Sequence, residues 1–305
     1  MDTSYNVNAA LRSIEAGVLR VAYQDLGPPA GPPVILLHGF PYDIHAFAAV
    51  APPLAQAGCR VIVPFLRGFG ESRFLHADTP RSGQQAAMGY DLLMLMDALA
   101  IPSAVLAGYD WGGRAACVVA ALYPKRVRGL VSGLGYAIQN IAQAHRPVIP
   151  TDEHKLWYQY YLHGARGVAG LQAHRYAFCR LLWEMWSPEW HFDEATYARS
   201  AQAFDNPDFV AVVTHSYRHR FGLVEGDPML ASWEARLAQL PVISVPSIAL
   251  DGQSDGVAAA GGSAGHREKF GASYTRMELA GIGHNLPQEA PAAFVDAVLR
   301  LVVKA

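Results

Sequence analysis

The chain has 305 residues, 51% of them hydrophobic and 16% charged, with 24 basic against 26 acidic side chains and a formal net charge of −2. Such a length buries a core without staples, and such a composition is not that of a disordered chain. The near-balanced charge argues against a nucleic-acid or anionic-membrane partner.

The three cysteines, Cys59, Cys117 and Cys179, stand far apart with no CxxC pair. Neither a disulfide framework nor a metal site is expected, and no cofactor is implied. No run of about 18 apolar residues marks a membrane span. The first residues, with Asp2 and Asn6, carry no apolar leader, so a cytoplasmic protein is expected.

In chain order, residues 18–23, 34–37 and 60–64 read as strands, and 34–37 is a continuous apolar run suited to a sheet buried on both faces. Residues 84–100 have apolar side chains at helical spacing and stop at Ile101-Pro102. A short strand at 104–107, a small-residue helix at 112–123 and a strand at 127–131 follow. Strands alternating with helices predict an α/β fold with a mostly parallel sheet and helices on both faces. Near Tyr136 the chain turns helical and aromatic, with Trp157, Trp183, Trp186 and Trp190. The strand pattern resumes at 247–250 and 274–279, and a last amphipathic helix spans 290–303. The expected organisation is therefore a core from residues 1–135, an inserted helical cap at 136–227, and the rest of the core at 228–305.

Gly108-Tyr109-Asp110-Trp111-Gly112-Gly113 joins the strand at 104–107 to the next helix. A strand, a sharp turn between small residues and a helix make the frame of a nucleophile elbow. Its apex projects beside a helix N-terminus, where negative charge is favoured. The plainer alternative is a tight turn with an aspartate cap. The apex here is Asp110, not serine or cysteine. A carboxylate attacks sp³ carbon and forms an alkyl ester, so its targets are epoxides, alkyl halides and similar centres.

His38-Gly39-Phe40-Pro41, Arg67-Gly68-Phe69-Gly70-Glu71-Ser72, the Asp110 elbow and Gly281-Ile282-Gly283-His284-Asn285 together resemble the α/β-hydrolase superfamily over nearly the whole chain. The nearest branch holds epoxide hydrolases, haloalkane dehalogenases and fluoroacetate dehalogenases. The resemblance implies an α/β-hydrolase fold with Asp110 as nucleophile. It implies His284 as general base on the water that hydrolyses the ester, in the chain order nucleophile, acid, histidine. The acid that orients the imidazole is expected at Asp255, with Asp251 as its competitor; the family's spacing of strand, glycine, two variable residues and acid favours Asp255. The segment Ser132-Gly133-Leu134-Gly135-Tyr136, where some dehalogenases carry this acid, has no carboxylate. The HGxP loop, its proline often cis, implies an oxyanion hole built from the N–H groups of Phe40 and Trp111. His38, Pro41 and Trp111 are expected to line the substrate.

The leaving group separates the branches. An opening epoxide needs a proton donor, and epoxide hydrolases resemble one another in two cap tyrosines. Tyr217, in His215-Ser216-Tyr217-Arg218, matches the second; Tyr158, in Trp157-Tyr158-Gln159-Tyr160-Tyr161, matches the first, with Tyr160 and Tyr161 as competitors. His215 receives no role. Fluoroacetate dehalogenases resemble one another in an arginine directly after the nucleophile, where this chain has Trp111. Arg114 matches only their second arginine, and Arg218 and Arg220 read as surface or cap-packing charges, so a carboxylate substrate is not expected. Haloalkane dehalogenases share the Asp-Trp elbow, and Trp183 or Trp186 could add a second halide donor. The expected activity is opening of a small uncharged epoxide by water, with a haloalkane or haloacid dehalogenase as the alternative and some dehalogenation as a side reaction. A catalytically silent ligand binder is the non-enzyme alternative, disfavoured because nucleophile, acid and base are all present. Oligomeric state is not legible.

Overall fold

Nine strands form one sheet in the computed structural model, which describes residues 10–259 and 261–303. The first nine residues, on which the expectation about a leader rests, lie outside the described residues. The strands are β1 (Arg12–Ala16), β2 (Leu19–Leu26), β3 (Pro33–Leu37), β4 (Arg60–Pro64), β5 (Arg73–Phe74), β6 (Ala104–Gly108), β7 (Val127–Gly133), β8 (Ser247–Gly252) and β9 (Tyr274–Leu279). The spatial order is β1-β2-β4-β3-β6-β7-β8-β9, with β5 on the side of β2. From β4 onward every neighbouring pair is parallel, while β1, β2 and β5 pair antiparallel. The antiparallel edge begins as a hairpin: Gly17 turns at φ +59° between β1 and β2.

The central strands behave as an unbroken apolar run requires. Val34, Ile35, Leu36 and Leu37 of β3 and all of β6 are buried. Helices α1 (Ala51–Gln56), α2 (Gln85–Ala98) and α3 (Asp110–Leu122) follow β3, β5 and β6. Between β7 and β8 the described chain holds helices only: α4 (Pro150–Lys155), α5 (Trp157–His163), α6 (Ala165–Trp186), α7 (Glu194–Ala201), α8 (Phe209–Arg220) and α9 (Ala231–Leu237). Two helices close the chain, α10 (Leu286–Glu289) and α11 (Pro291–Val302). α2, α3 and α9 pack together on the sheet, while α1 and α11 meet each other and reach β4, β6 and β7 from the other face.

The helices between β7 and β8 are fastened to the loops at the carboxyl ends of the strands. Trp183 Nε1 donates to Pro41 O at 2.7 Å, and Ser200 Oγ to Asp43 Oδ1 at 2.7 Å. Asn206 Nδ2 donates to Gly70 O at 3.0 Å and to Ser72 O at 2.7 Å. The loops after β3, β6, β8 and β9 open beneath this helical layer, at the edge where parallel sheets place their ligand sites. The three cysteines are buried and unpaired. No helix among the described residues is long and apolar enough to cross a membrane.

Candidate active site

The elbow is tighter than its sequence alone conveys. α3 begins at Asp110 itself rather than at Gly112, and Asp110 holds a left-handed φ of +49°. For a residue with a side chain that conformation costs about 1–2 kcal/mol, held in place by surrounding structure. The surroundings here are glycines: a Cβ on Gly112 would stand 2.0 Å from Leu37 O, and one on Gly39 would stand 2.6 Å from Asp110 Cβ. This close approach lets the Phe40 N–H donate to Asp110 Oδ1 at 2.7 Å. The Trp111 N–H lies in the first turn of α3 and has no acceptor within the helix. The Phe40–Pro41 peptide is cis.

The loop after β9 brings His284 to the elbow. Its Nε2 stands 3.6 Å from Asp110 Oδ2, and its Nδ1 donates to Asp255 Oδ2 at 2.7 Å. The other Asp255 oxygen accepts the N–H groups of Val257 and Ala258 at 2.9 Å. Asp251, the competitor, is engaged elsewhere: its Oδ2 accepts from Arg276 Nε at 2.6 Å and from the N–H and hydroxyl of Ser263. Burial pulls the His284 pKa down, but the charge of Asp255 and the adjoining Asp110 outweigh it and hold the value up at about 10. Burial alone would raise Asp110, yet His284, Arg114 and the Phe40 N–H hold its carboxylate below the ordinary value.

Two residues that sequence reasoning misses hold the histidine loop. Glu289 accepts from Gly283 N at 2.7 Å, Asn285 N at 2.9 Å and Ser187 Oγ at 2.6 Å. Ser187 Oγ in turn accepts from His284 N at 3.0 Å. The available signal was a carboxylate four residues after the last member of the GxGHN run, at the end of a short helix.

Above the elbow the helical layer contributes an aromatic wall. Tyr217 lies 5.9 Å from Trp111 and 5.5 Å from Phe40 between ring centres, and Tyr158 lies 5.2 Å from Tyr217. Gln159 Nε2 donates to Tyr158 OH at 2.9 Å, which leaves the tyrosine its own proton to donate elsewhere. Tyr217 OH is buried with no partner among the described residues. Burial pushes Tyr158 up to about 12, partly offset by the Arg220 cation, and raises Tyr217 well above the ordinary value. The competitors lie elsewhere: Tyr160 is exposed with its hydroxyl on Glu153, and Tyr161 packs on Trp157 and Phe178.

Other expected residues sit differently. His38 is wholly buried and does not face a ligand: Nδ1 donates to Gly39 O at 2.9 Å and Nε2 accepts from Leu66 N at 3.0 Å. Burial lowers its pKa to about 4, so it is a neutral tie between two loops. Pro41 lends its carbonyl to Trp183, which removes the Trp183 indole N–H from any role toward a ligand. The Nε1 groups of Trp111 and Trp186 are buried without partners among the described residues, and Trp186 lies 5.1 Å from His284. His215 accepts from Gly83 N at 3.1 Å and spans to Glu225 O, a structural link. Arg220, read as a surface or cap-packing charge, packs within the helical layer: it sits over Tyr217 at 5.1 Å and donates to Gln159 Oε1 at 3.1 Å.

A cavity of about 260 Å³ opens beside Asp110, Arg114 and His284. It shares the walls Arg114, Tyr136 and Ala137 with a wider cleft of about 560 Å³ that runs out past Arg220. Among the described residues no cluster of three or more His, Cys, Asp or Glu side chains could hold a metal ion.

Comparison with known proteins bears on the family and the fold. A family profile described as alpha/beta hydrolase fold matches residues 32–289. A crystal structure from Klebsiella pneumoniae, of a protein provisionally named an epoxide hydrolase, superimposes with a TM-score of 0.96 at 48% identity, covering 98% of this chain and 99% of that one. The mouse bifunctional epoxide hydrolase 2 is 34% identical over 117 residues, 37% of this chain and only 20% of the mouse protein. A haloalkane dehalogenase from Mycolicibacterium paratuberculosis is 35% identical over 122 residues, 39% of this chain and 38% of that protein. The similarity thus spans well under half the length of either curated relative.

Proposed function

The chain belongs to the α/β-hydrolase superfamily, in the branch of epoxide hydrolases and haloalkane dehalogenases, and from that premise we propose that it opens epoxides to vicinal diols through an ester on Asp110. In this reading residues 136–227 are a cap over a core formed by 1–135 and 228–305, and the substrate enters between them. The single observation that carries the choice of epoxide is the tyrosine pair. Two protonated hydroxyls, Tyr158 oriented by Gln159 and Tyr217 without a protein partner, are buried over the nucleophile.

The steps follow from the charges. The Asp110 carboxylate attacks a ring carbon, the carbon–oxygen bond breaks, and the ring oxygen takes a proton from a tyrosine. The tyrosinate recovers that proton from the His284 imidazolium. Esterification removes the Asp110 charge that helps to hold the His284 pKa high, so neutral imidazole becomes accessible as a base. His284, steadied by Asp255, then takes a proton from water, and hydroxide adds to the ester carbonyl. The N–H groups of Phe40 and Trp111 hold the resulting oxyanion. Collapse expels the diol oxygen, which takes the carboxyl proton, and carboxylate and imidazolium are restored. Every step uses the chain's own side chains and water.

Mass spectrometry of the His284→Gln variant with a terminal epoxide tests this route. The intact epoxide mass should accumulate on the peptide containing Asp110. Absence of any adduct, with the epoxide seen to bind, would falsify the covalent route. A second reading, dehalogenation, is favoured by the unpartnered indole N–H groups of Trp111 and Trp186, which could cradle a departing halide. Halide release from a short haloalkane and haloacid panel, set beside diol release, decides which reaction dominates.

A further inference from the structure

Two cations beside the reaction centre touch the ester route only through their charge, which favours the Asp110 carboxylate and offsets the rise of Tyr158. Arg114 stands one turn after Asp110 on α3 and is buried, with only 8% of its surface exposed. Its Nε and Nη1 are wholly enclosed without an acceptor, and it enters no ion pair among the described residues. Arg220 reaches in from α8 and is half-buried; its guanidinium lies over the Tyr217 ring and donates to the neutral amide of Gln159. Both line the 560 Å³ cleft, and Arg114 also lines the cavity at Asp110.

A buried cation without a partner costs several kcal/mol, and a second cation beside it adds repulsion. Burial first, then the Arg220 charge, pulls Arg114 down to about 10. The nearby carboxylates do not relieve this. Asp110 attracts Arg114 but is held by Phe40 N–H and faces His284. Glu153, on the rim of the cleft, bonds to Val148 N and the Tyr160 hydroxyl. Arg146 on the same rim adds to the positive side.

We propose that Arg114 and Arg220 form an anion subsite, and that the substrate is an aliphatic epoxide carrying a carboxylate, its ring at Asp110 and its carboxylate between the two guanidiniums. This rests on the epoxide reading. Guanidinium forks match a planar carboxylate. Ile138, Pro147, Val148 and Leu156 give the same cleft an apolar wall for the chain that joins ring to acid. Sequence reasoning set carboxylates aside because Trp111 fills the position after the nucleophile. The second arginine comes instead from the helical layer. Net charge averages over the whole chain and does not register two cations converging on one cavity.

The test separates binding from chemistry. Calorimetry on the full chain should show hexanoate binding at least about tenfold tighter than hexanamide, about 1.4 kcal/mol. The preference should vanish in Arg220→Gln and survive in part in Arg220→Lys. A terminal epoxy derivative of hexanoate should exceed its primary amide in kcat/KM by a similar factor. Equal binding of hexanoate and hexanamide overturns the subsite. Preference for hexanoate with neither epoxide turned over would uphold the subsite and overturn the epoxide reading. Turnover of both epoxides at equal kcat/KM would do the reverse.

Discussion

His284 faces two carboxylates unequally: Nδ1 bonds to Asp255 at 2.7 Å, whereas Nε2 stops 3.6 Å short of Asp110. One nitrogen is tied down and the other is left toward the Asp110 carboxylate. Asp255→Asn should therefore spare attack on substrate and stall ester hydrolysis, because it withdraws the charge that steadies the imidazolium and permits the wrong tautomer. The hydrolytic step should slow by about three to four orders of magnitude. Rapid-mixing kinetics with tryptophan fluorescence would separate the two phases; equal slowing of both would remove Asp255 from this role.

The same imidazole links folding to pH. Its pKa is held at about 10 against an ordinary 6.5. The folded state binds the proton more tightly, so the stabilisation is fully present below about pH 6.5 and is lost as pH rises through about 10. Thermal melts of the wild type should fall across that window, and His284→Gln should flatten the fall. An unchanged alkaline limb in the variant would place the dependence on other groups.

Much of this centre is legible in sequence because its parts are local. A glycine-framed aspartate between an apolar strand and a small-residue helix defines the elbow, and the GxGHN run fixes a histidine in a loop beside it. What was not legible depends on how the chain turns back on itself or on distant segments meeting. Glu289 supports His284 only because α10 turns its carboxylate back onto the N–H groups of Gly283 and Asn285. Arg220 faces Arg114 only because α8 lies over α3's first turns. β1 escaped for a different reason: Arg12 and Glu15 sit on a partly exposed edge strand, so its apolar pattern is faint. His38 carries the family's motif and invites a role toward the ligand, yet the fold uses both its ring nitrogens to join two loops.

In the proposed route the two tyrosines share the proton donation. Burial pushes Tyr158 up to about 12 and raises Tyr217 well above its ordinary value. Neither should ionise across the range in which the enzyme is assayed. Tyr217→Phe or Tyr158→Phe should lower the rate of ester formation by about ten- to a hundredfold, and the double variant by about 10⁴-fold. The rate constant of the burst with a neutral epoxide gives that rate. Wild-type bursts in the double variant would rule the pair out as donors and return weight to the halide reading.

His38 should govern the acid limb. Its two backbone bonds require the neutral ring, and burial holds the pKa at about 4 instead of 6.5. The unfolded chain therefore takes up this proton first. The stabilisation is present above about pH 6.5 and is lost as pH falls through about 4, a total on the order of 3 kcal/mol. His38→Asn removes that titration. Its unfolding free energy, from urea titrations between pH 4 and 7, should be lower at neutral pH but should change less steeply with pH, by up to about 1.4 kcal/mol per unit. A slope equal to that of the wild type would mean that the buried imidazole is not the group that takes up the proton.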